Sequence, residues 1–109
     1  MGVPRNADKA IKAIIDSDGI VVNVSDDEIR EAQRYLAKNA GVFGEPAGVT
    51  ATAGLLKLSR EGRLDPDATI VSVVTGNGLK DIESAIKNCG EPVSCGNDLE
   101  EFESKFKLA

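Results

Sequence analysis

The run Thr69–Val74, TIVSVV, constrains this fold more than any other stretch of the chain. Five of its six residues are apolar or β-branched, and polar and apolar positions hardly alternate. That pattern predicts a short strand covered on both faces, as strands of parallel sheets are. It leads directly into Thr75-Gly76-Asn77-Gly78 and then Leu79-Lys80-Asp81. Two readings are open. The turn only redirects the chain and its hydroxyl is satisfied locally, or it delivers Thr75 to something bound beyond the strand's end, where open α/β sheets take ligands. A threonine hydroxyl both donates and accepts, and the glycines leave room for a close approach. On the residues alone, the plain turn is favoured.

The flanking sequence alternates helical and extended patterns. Residues 6–18 predict a helix, with Asn6 as N-cap and Ala7, Ala10, Ile11, Ile14 and Ile15 on one face. Ile20–Val24 predicts a strand. Ser25 followed three residues later by Glu28 is a capping-box signature. The helix it opens runs to about Asn39, with Ile29, Ala32, Leu36 and Ala40 inward and Gly41 as C-cap. Pro46 suits the first turn of the next helix. From Ala47 to Leu58 that helix carries one charge, Lys57, so it is expected to pack on several sides. Asp65–Asp67 is a turn. Asp81–Asn88 predicts a short helix, Pro92–Cys95 an edge strand, and residues 97–108 an amphipathic helix with Leu99, Phe102 and Phe106 on its apolar face. The expected fold class is α/β: helices alternating with two to three short parallel strands. Residues 1–109 are expected to form a single domain, part of something larger or covered by association.

Composition narrows the function. The net charge is −5 and the basic residues are scattered, which argues against nucleic acid. The chain has no histidine, so the commonest general base and metal ligand is missing. Cys89 and Cys95 have no zinc spacing and read as unpaired thiols in a reducing cytosol. No apolar run reaches membrane-spanning length and the N-terminus has no signal-peptide core, so a soluble, cytoplasmic protein is expected.

Few residues could carry chemistry. The glycines around Asn77 lack the third glycine of a dinucleotide fingerprint, and Gly78-Leu79-Lys80-Asp81 is not a phosphate-binding P-loop. FGEPAG, residues 43–48, places Glu45 before a helix. There it favours the positive end of the helix dipole or lines a pocket at the same edge as Thr75. Ser25-Asp26-Asp27-Glu28 lacks the spacing of a calcium loop and reads as a cap. No set of residues completes an active site, and no metal site is expected.

The two motifs together resemble one family. Residues 41–81, GVFGEPAGVTATAGLLKLSREGRLDPDATIVSVVTGNGLKD, closely resemble the C-terminal part of threonine synthases. Those share an F-x-E-P-A stretch, a later A-G-L, and a strand ending in T-G-(H/N)-G-L-K-D. VNVSDDEIREAQRYLAKNAG, GVPRNADKAI and GEPVSCGNDLEEF resemble the family's flanking segments, so the likeness covers nearly the whole chain. Gly48 and Val49 depart from the commoner Ser-Ala after E-P-A.

The resemblance implies the large domain of a fold-type II pyridoxal-phosphate enzyme of the tryptophan-synthase-β-like group. It also implies conversion of O-phosphohomoserine and water to threonine and phosphate. Thr75 is then the residue that hydrogen-bonds the pyridine nitrogen of pyridoxal phosphate, with Glu45 and Gly76 near the cofactor. The family's Schiff-base lysine and phosphate loop match nothing here, and Lys80 does not take the lysine's place. The chain is therefore expected to be roughly the last third of the enzyme, inactive alone, and to form a homodimer or associate through an exposed sheet edge. The alternatives are an independent α/β module that complements a separate N-terminal polypeptide, and a segment of a related threonine dehydratase. The latter more often shows Ser or Cys at the position of Thr75.

Overall fold

The computed structural model describes residues 6–90 and 92–106. Its elements run α1 (Ala7–Asp16), α2 (Asp26–Ala40), α3 (Thr50–Arg60), a 3-10 turn (Gly78–Lys80), α4 (Ile82–Cys89) and α5 (Leu99–Phe106).

Helix α2 is the best specified. Ser25 accepts from the Glu28 N–H at 3.2 Å, and Glu28 returns to the Ser25 N–H at 2.7 Å, closing the expected capping box. Gly41 ends the helix in the left-handed region at φ 66°, where glycine has no Cβ penalty. Helix α3 begins at Thr50, later than Pro46 suggested, because residues 46–49 form a separate turn. α2 and α3 pack against each other. Ala32, Val49, Ala53 and Leu58 form the buried centre, with Thr52 and Gly54 alongside. Lys57 ties both neighbours to α3: its Nζ lies 3.1 Å from Glu28 and donates to the Asn23 carbonyl at 2.9 Å.

The expected α/β architecture is not what this chain adopts. Among the described residues there is no strand and no sheet, and the only bridge is Gly44 with Asn77. Ile20–Val24 and Thr69–Val74 nevertheless show burial of period two, the signature of an extended backbone with one face covered. Val22 and Ser72 face α3: Ser72 Oγ lies 3.0 Å from Thr52 Oγ1, and a Cβ on Gly54 would sit 3.6 Å from Val22. Val21 and Val71 point the other way and are 76% and 83% exposed. A strand is defined by its pairing, and these two segments do not pair with each other. A trough of about 500 Å³ lies between them, floored by Gly54, Leu55 and Leu58 of α3. The covering of both faces inferred from the composition of residues 69–74 is likewise absent. Among the described residues Pro92–Cys95 forms no edge strand, and Pro92 has no N–H to give to one.

The apolar faces of the terminal helices are also uncovered. Ile15 is 72% exposed in α1, which buries no residue, and Asn6 makes no side-chain cap. In α5, Phe102 and Phe106 pack on each other with ring centroids 4.6 Å apart and remain 37% and 40% exposed. The radius of gyration is 18.3 Å, against about 13 Å for a compact chain of this length. The exposed area of 8752 Å² compares with about 5,800 Å² for a compact protein of this mass.

Two caps titrate. The Ser25 backbone N–H, aided by Lys57, holds the Glu28 carboxyl below its usual range, and the Ser84 hydroxyl and N–H do the same for Asp81 at the start of α4. Both folded values are depressed, so their stabilisation is complete at neutral pH and is lost as pH falls through those lowered values. Helical circular dichroism should therefore hold from pH 7 to about 5 and decline below about 4. Ser25→Ala should remove about 1 kcal/mol of α2 stability at neutral pH, read as a lower urea midpoint.

Candidate cofactor-contacting turn

The two motifs singled out in the sequence meet. The Glu45 N–H donates to the Gly76 carbonyl at 2.9 Å, and the Gly78 N–H donates to the Phe43 carbonyl at 2.8 Å. These bonds flank Gly44 and Asn77, which face each other as a non-hydrogen-bonded antiparallel pair. In such a pair the Gly44 carbonyl points away from its partner and needs another donor. Gln33 supplies it: its Nε2 donates to the Gly44 carbonyl at 2.7 Å.

Gln33 is itself 1% exposed, and a buried amide must be satisfied at both ends. Its Oε1 accepts from Asn88 Nδ2 at 2.6 Å, and Asn88 Oδ1 accepts from Arg34 at 2.7 Å. The relay therefore runs from α4 through α2 to the bridge. The sequence reading missed Gln33 because it lies beside the apolar stripe of α2. The observable signal was a long polar residue next to Ala32 on an inward face.

Close packing fixes the turn further. A Cβ on Gly44 would meet Val49 and Val74 at 2.6 Å, and one on Gly78 would meet the Phe43 ring at 2.5 Å. A Cβ on Gly76 would overlap the Glu45 carboxylate. Gly48, at the position where the sequence departs from Ser, approaches the Thr75 and Gly76 N–H groups so closely that a Cβ there would sit 3.2 and 3.0 Å from their nitrogens. Asn77 Oδ1 accepts from the Leu79 N–H at 2.9 Å and caps the 3-10 turn. Glu45, largely covered, lies 3.4 Å from Lys80 Nζ.

Backbone groups, Glu45 and Asn77 thus account for the bonds of the turn, and none of those bonds uses the Thr75 hydroxyl. Thr75 is exposed at the head of the turn. Glu45 stands beside Gly76 and is engaged with Lys80; it is not among the residues lining the cleft between α2 and α4. A cleft of about 240 Å³ between α2, Pro46 and α4 is lined by Arg30, Ser84 and Lys87 among others, and Thr75 is not part of it. Cys89 and Cys95 are free and exposed.

Residues 1–76 match the family model described as "Pyridoxal-phosphate dependent enzyme". The chain belongs to that family. Within the pyridoxal-phosphate enzymes it is similar to threonine synthases. It is 46% identical over 99 residues to threonine synthase of Methanocaldococcus jannaschii, covering 91% of this chain and 24% of that protein. It is 47% identical over 96 residues to threonine synthase of Synechocystis sp., covering 88% and 25%. With threonine synthase of Bacillus sp. it shares 40% over 108 residues, covering 98% and 31%. The chain therefore spans between a quarter and a third of the length of these relatives. For a pyridoxal-phosphate enzyme the turn offers a suitable group: an exposed, neutral hydroxyl that donates or accepts, in a cradle where Gly48 and Gly76 admit no Cβ without displacement. No helix among the described residues is long and apolar enough to cross a membrane.

The relay predicts a stability effect far from any surface. Gln33→Leu leaves the Gly44 carbonyl without its donor and should cost about 1–3 kcal/mol. Amide exchange at Gly78 should accelerate with it, because the bridge loosens. Unchanged exchange at Gly78 would show that the bridge does not depend on Gln33.

Proposed function

We propose that this chain is the C-terminal part of a threonine-synthase-type enzyme, and that Thr75 hydrogen-bonds the pyridine nitrogen of pyridoxal phosphate. The observation that carries the reading is the exposed Thr75 at the head of a turn whose hydrogen bonds leave its hydroxyl unused. The 46% identity to a threonine synthase supports the class of enzyme.

Pyridoxal phosphate supplies the electron sink of the reaction, and the protein tunes its electronics. A threonine is a neutral partner. An aspartate at that position would hold the ring nitrogen protonated, whereas Thr75 leaves it largely unprotonated. The other residues serve that one contact. The bridge to Phe43–Glu45 fixes the height of the turn, Gly76 yields to the Glu45 carboxylate, and Asn77 closes the 3-10 turn behind it. The reaction of the whole enzyme is conversion of O-phosphohomoserine and water to threonine and phosphate. This chain alone is inactive in the proposal, since none of its residues matches the family's Schiff-base lysine or phosphate loop. A cytoplasmic location fits a biosynthetic enzyme of this kind.

The test is a chimera in which this chain replaces the matched segment of the Methanocaldococcus jannaschii threonine synthase. The chimera should form threonine from O-phosphohomoserine, and the 109-residue chain alone should form none. Thr75→Ala in the chimera should lower kcat by about tenfold, the effect of one lost hydrogen bond, and should shift the absorption of the bound cofactor. Thr75→Ser should restore both. A Thr75→Ala chimera with unaltered rate and spectrum would remove the threonine from the site.

A further inference from the structure

The side-chain relay that ends at the bridge has a fixed direction. A guanidinium only donates and a backbone carbonyl only accepts. Arg34 therefore requires the Oδ1 side of Asn88, which it meets at 2.7 Å. That turns the Nδ2 side of Asn88 to Gln33, whose Oε1 accepts from it at 2.6 Å. Gln33 is left with its Nε2, and the Gly44 carbonyl takes it at 2.7 Å. Asn88 Nδ2 also reaches the Arg30 carbonyl at 3.3 Å, an acceptor of the same sense. Turning either amide over would set oxygen against oxygen at one contact and donor against donor at the other. The relay has one arrangement, and its central amide is 1% exposed.

Its far end lies under the turn. Gly44 sits between Phe43 and Glu45, the two residues whose backbone bonds hold Gly78 and Gly76. Thr75 directly precedes Gly76. Gly44 has no slack in which to find another donor: a Cβ on it would meet Val49 and Val74 at 2.6 Å. A displaced Gly44 carbonyl is therefore passed on to residues 75–78 rather than absorbed.

We infer that Gln33 and Asn88 are positioning residues for the cofactor contact, setting the place of the Thr75 hydroxyl through the Gly44 carbonyl. The inference rests on the proposed role of Thr75. Gln33 is buried and acts without touching a ligand. Asn88, only part-buried, fixes the sense of the Gln33 amide from α4. The contact they serve is to the cofactor ring, so they bear on turnover and not on the affinity for substrate.

The test is made at Asn88, which spares the buried amide. Asn88→Asp sets a carboxylate oxygen against Gln33 Oε1 while keeping a partner for Arg34, and Asn88→Leu removes the donor altogether. In the chimera each should lower kcat roughly three- to tenfold with KM for O-phosphohomoserine unchanged. Each should shift the cofactor absorption in the direction that Thr75→Ala does. In a Thr75→Ala background neither should lower kcat or shift the spectrum further, because residues that act through one group are not additive. A packing defect alone would lower the urea midpoint equally in both backgrounds and leave the spectrum in place. In the 109-residue chain, amide exchange at Gly78 should accelerate in both variants. Unchanged exchange at Gly78 overturns the inference whatever Thr75 contacts. Accelerated exchange with an unaltered cofactor spectrum also overturns it, and where Thr75→Ala is equally silent the fault lies in the proposed cofactor contact. Losses in kcat that add to that of Thr75→Ala overturn it as well, since the relay then acts on another part of the site.

Discussion

The described structure hangs on a pair of backbone hydrogen bonds, Glu45 to Gly76 and Gly78 to Phe43. They join two motifs about thirty residues apart in the chain, and they are short of a sheet by every other bond a sheet would have. Two such bonds in water would contribute little, about 1 kcal/mol each. They persist because the geometry leaves the Gly44 carbonyl turned inward, and the buried Gln33 amide answers it. Removing one partner of such a contact exposes the full desolvation cost of the other, which is larger than the net gain of making it. A marginal bridge is thereby held by an expensive failure mode, and the glycines at 44, 76 and 78 follow from the closeness that the bridge imposes.

That arrangement gives Thr75 its character. The turn is rigid from beneath, where Asn77, Gly48 and the Glu45–Lys80 pair enclose it, and exposed above, where the hydroxyl stands. In the role proposed for Thr75, orienting a cofactor ring, such a support is an advantage, since site residues work best on a backbone that is already fixed. The relay from Asn88 through Gln33 ties α4 to the same point. The helix after the turn is thus part of its support as well as its continuation.

Several local rules in the sequence held, although Asn6 does not cap α1 and Pro46 does not open α3. The capping box at Ser25 and Glu28, the left-handed Gly41 and the Asp81 start of α4 depend on a few consecutive residues, and each is present. The resemblance implied only that Glu45 and Gly76 lie near one cofactor; the direct bridge between the E-P-A and T-G-N-G motifs was not anticipated. The strands were misjudged because composition reports what a segment can do beside a neighbour, while a strand requires the neighbour to be there. Residues 69–74 have the chemistry for burial on both faces and receive it on one. Gln33 escaped notice for the opposite reason: its role depends on a carbonyl eleven residues away that only the fold brings near.

The mismatch between composition and burial is itself informative. Val21, Val71 and Val73 lie on the uncovered side of two segments, and Ile11 and Ile15 on the uncovered side of a helix. Each such side chain would gain about 1.5–3 kcal/mol on full burial. A sequence shaped only by this chain's own fold has no reason to keep apolar residues on faces that meet water, since polar ones there would cost nothing in packing and would reduce association. Random surface valines are ordinary, but Val71 and Val73 recur at period two opposite a packed face, and Val21 lies on the uncovered side of the neighbouring segment. The pattern is that of one side of a core, in a chain that matches only 24% to 31% of the length of its threonine synthase relatives. It goes with the large radius, the excess exposed area and the absence of a sheet among the described residues.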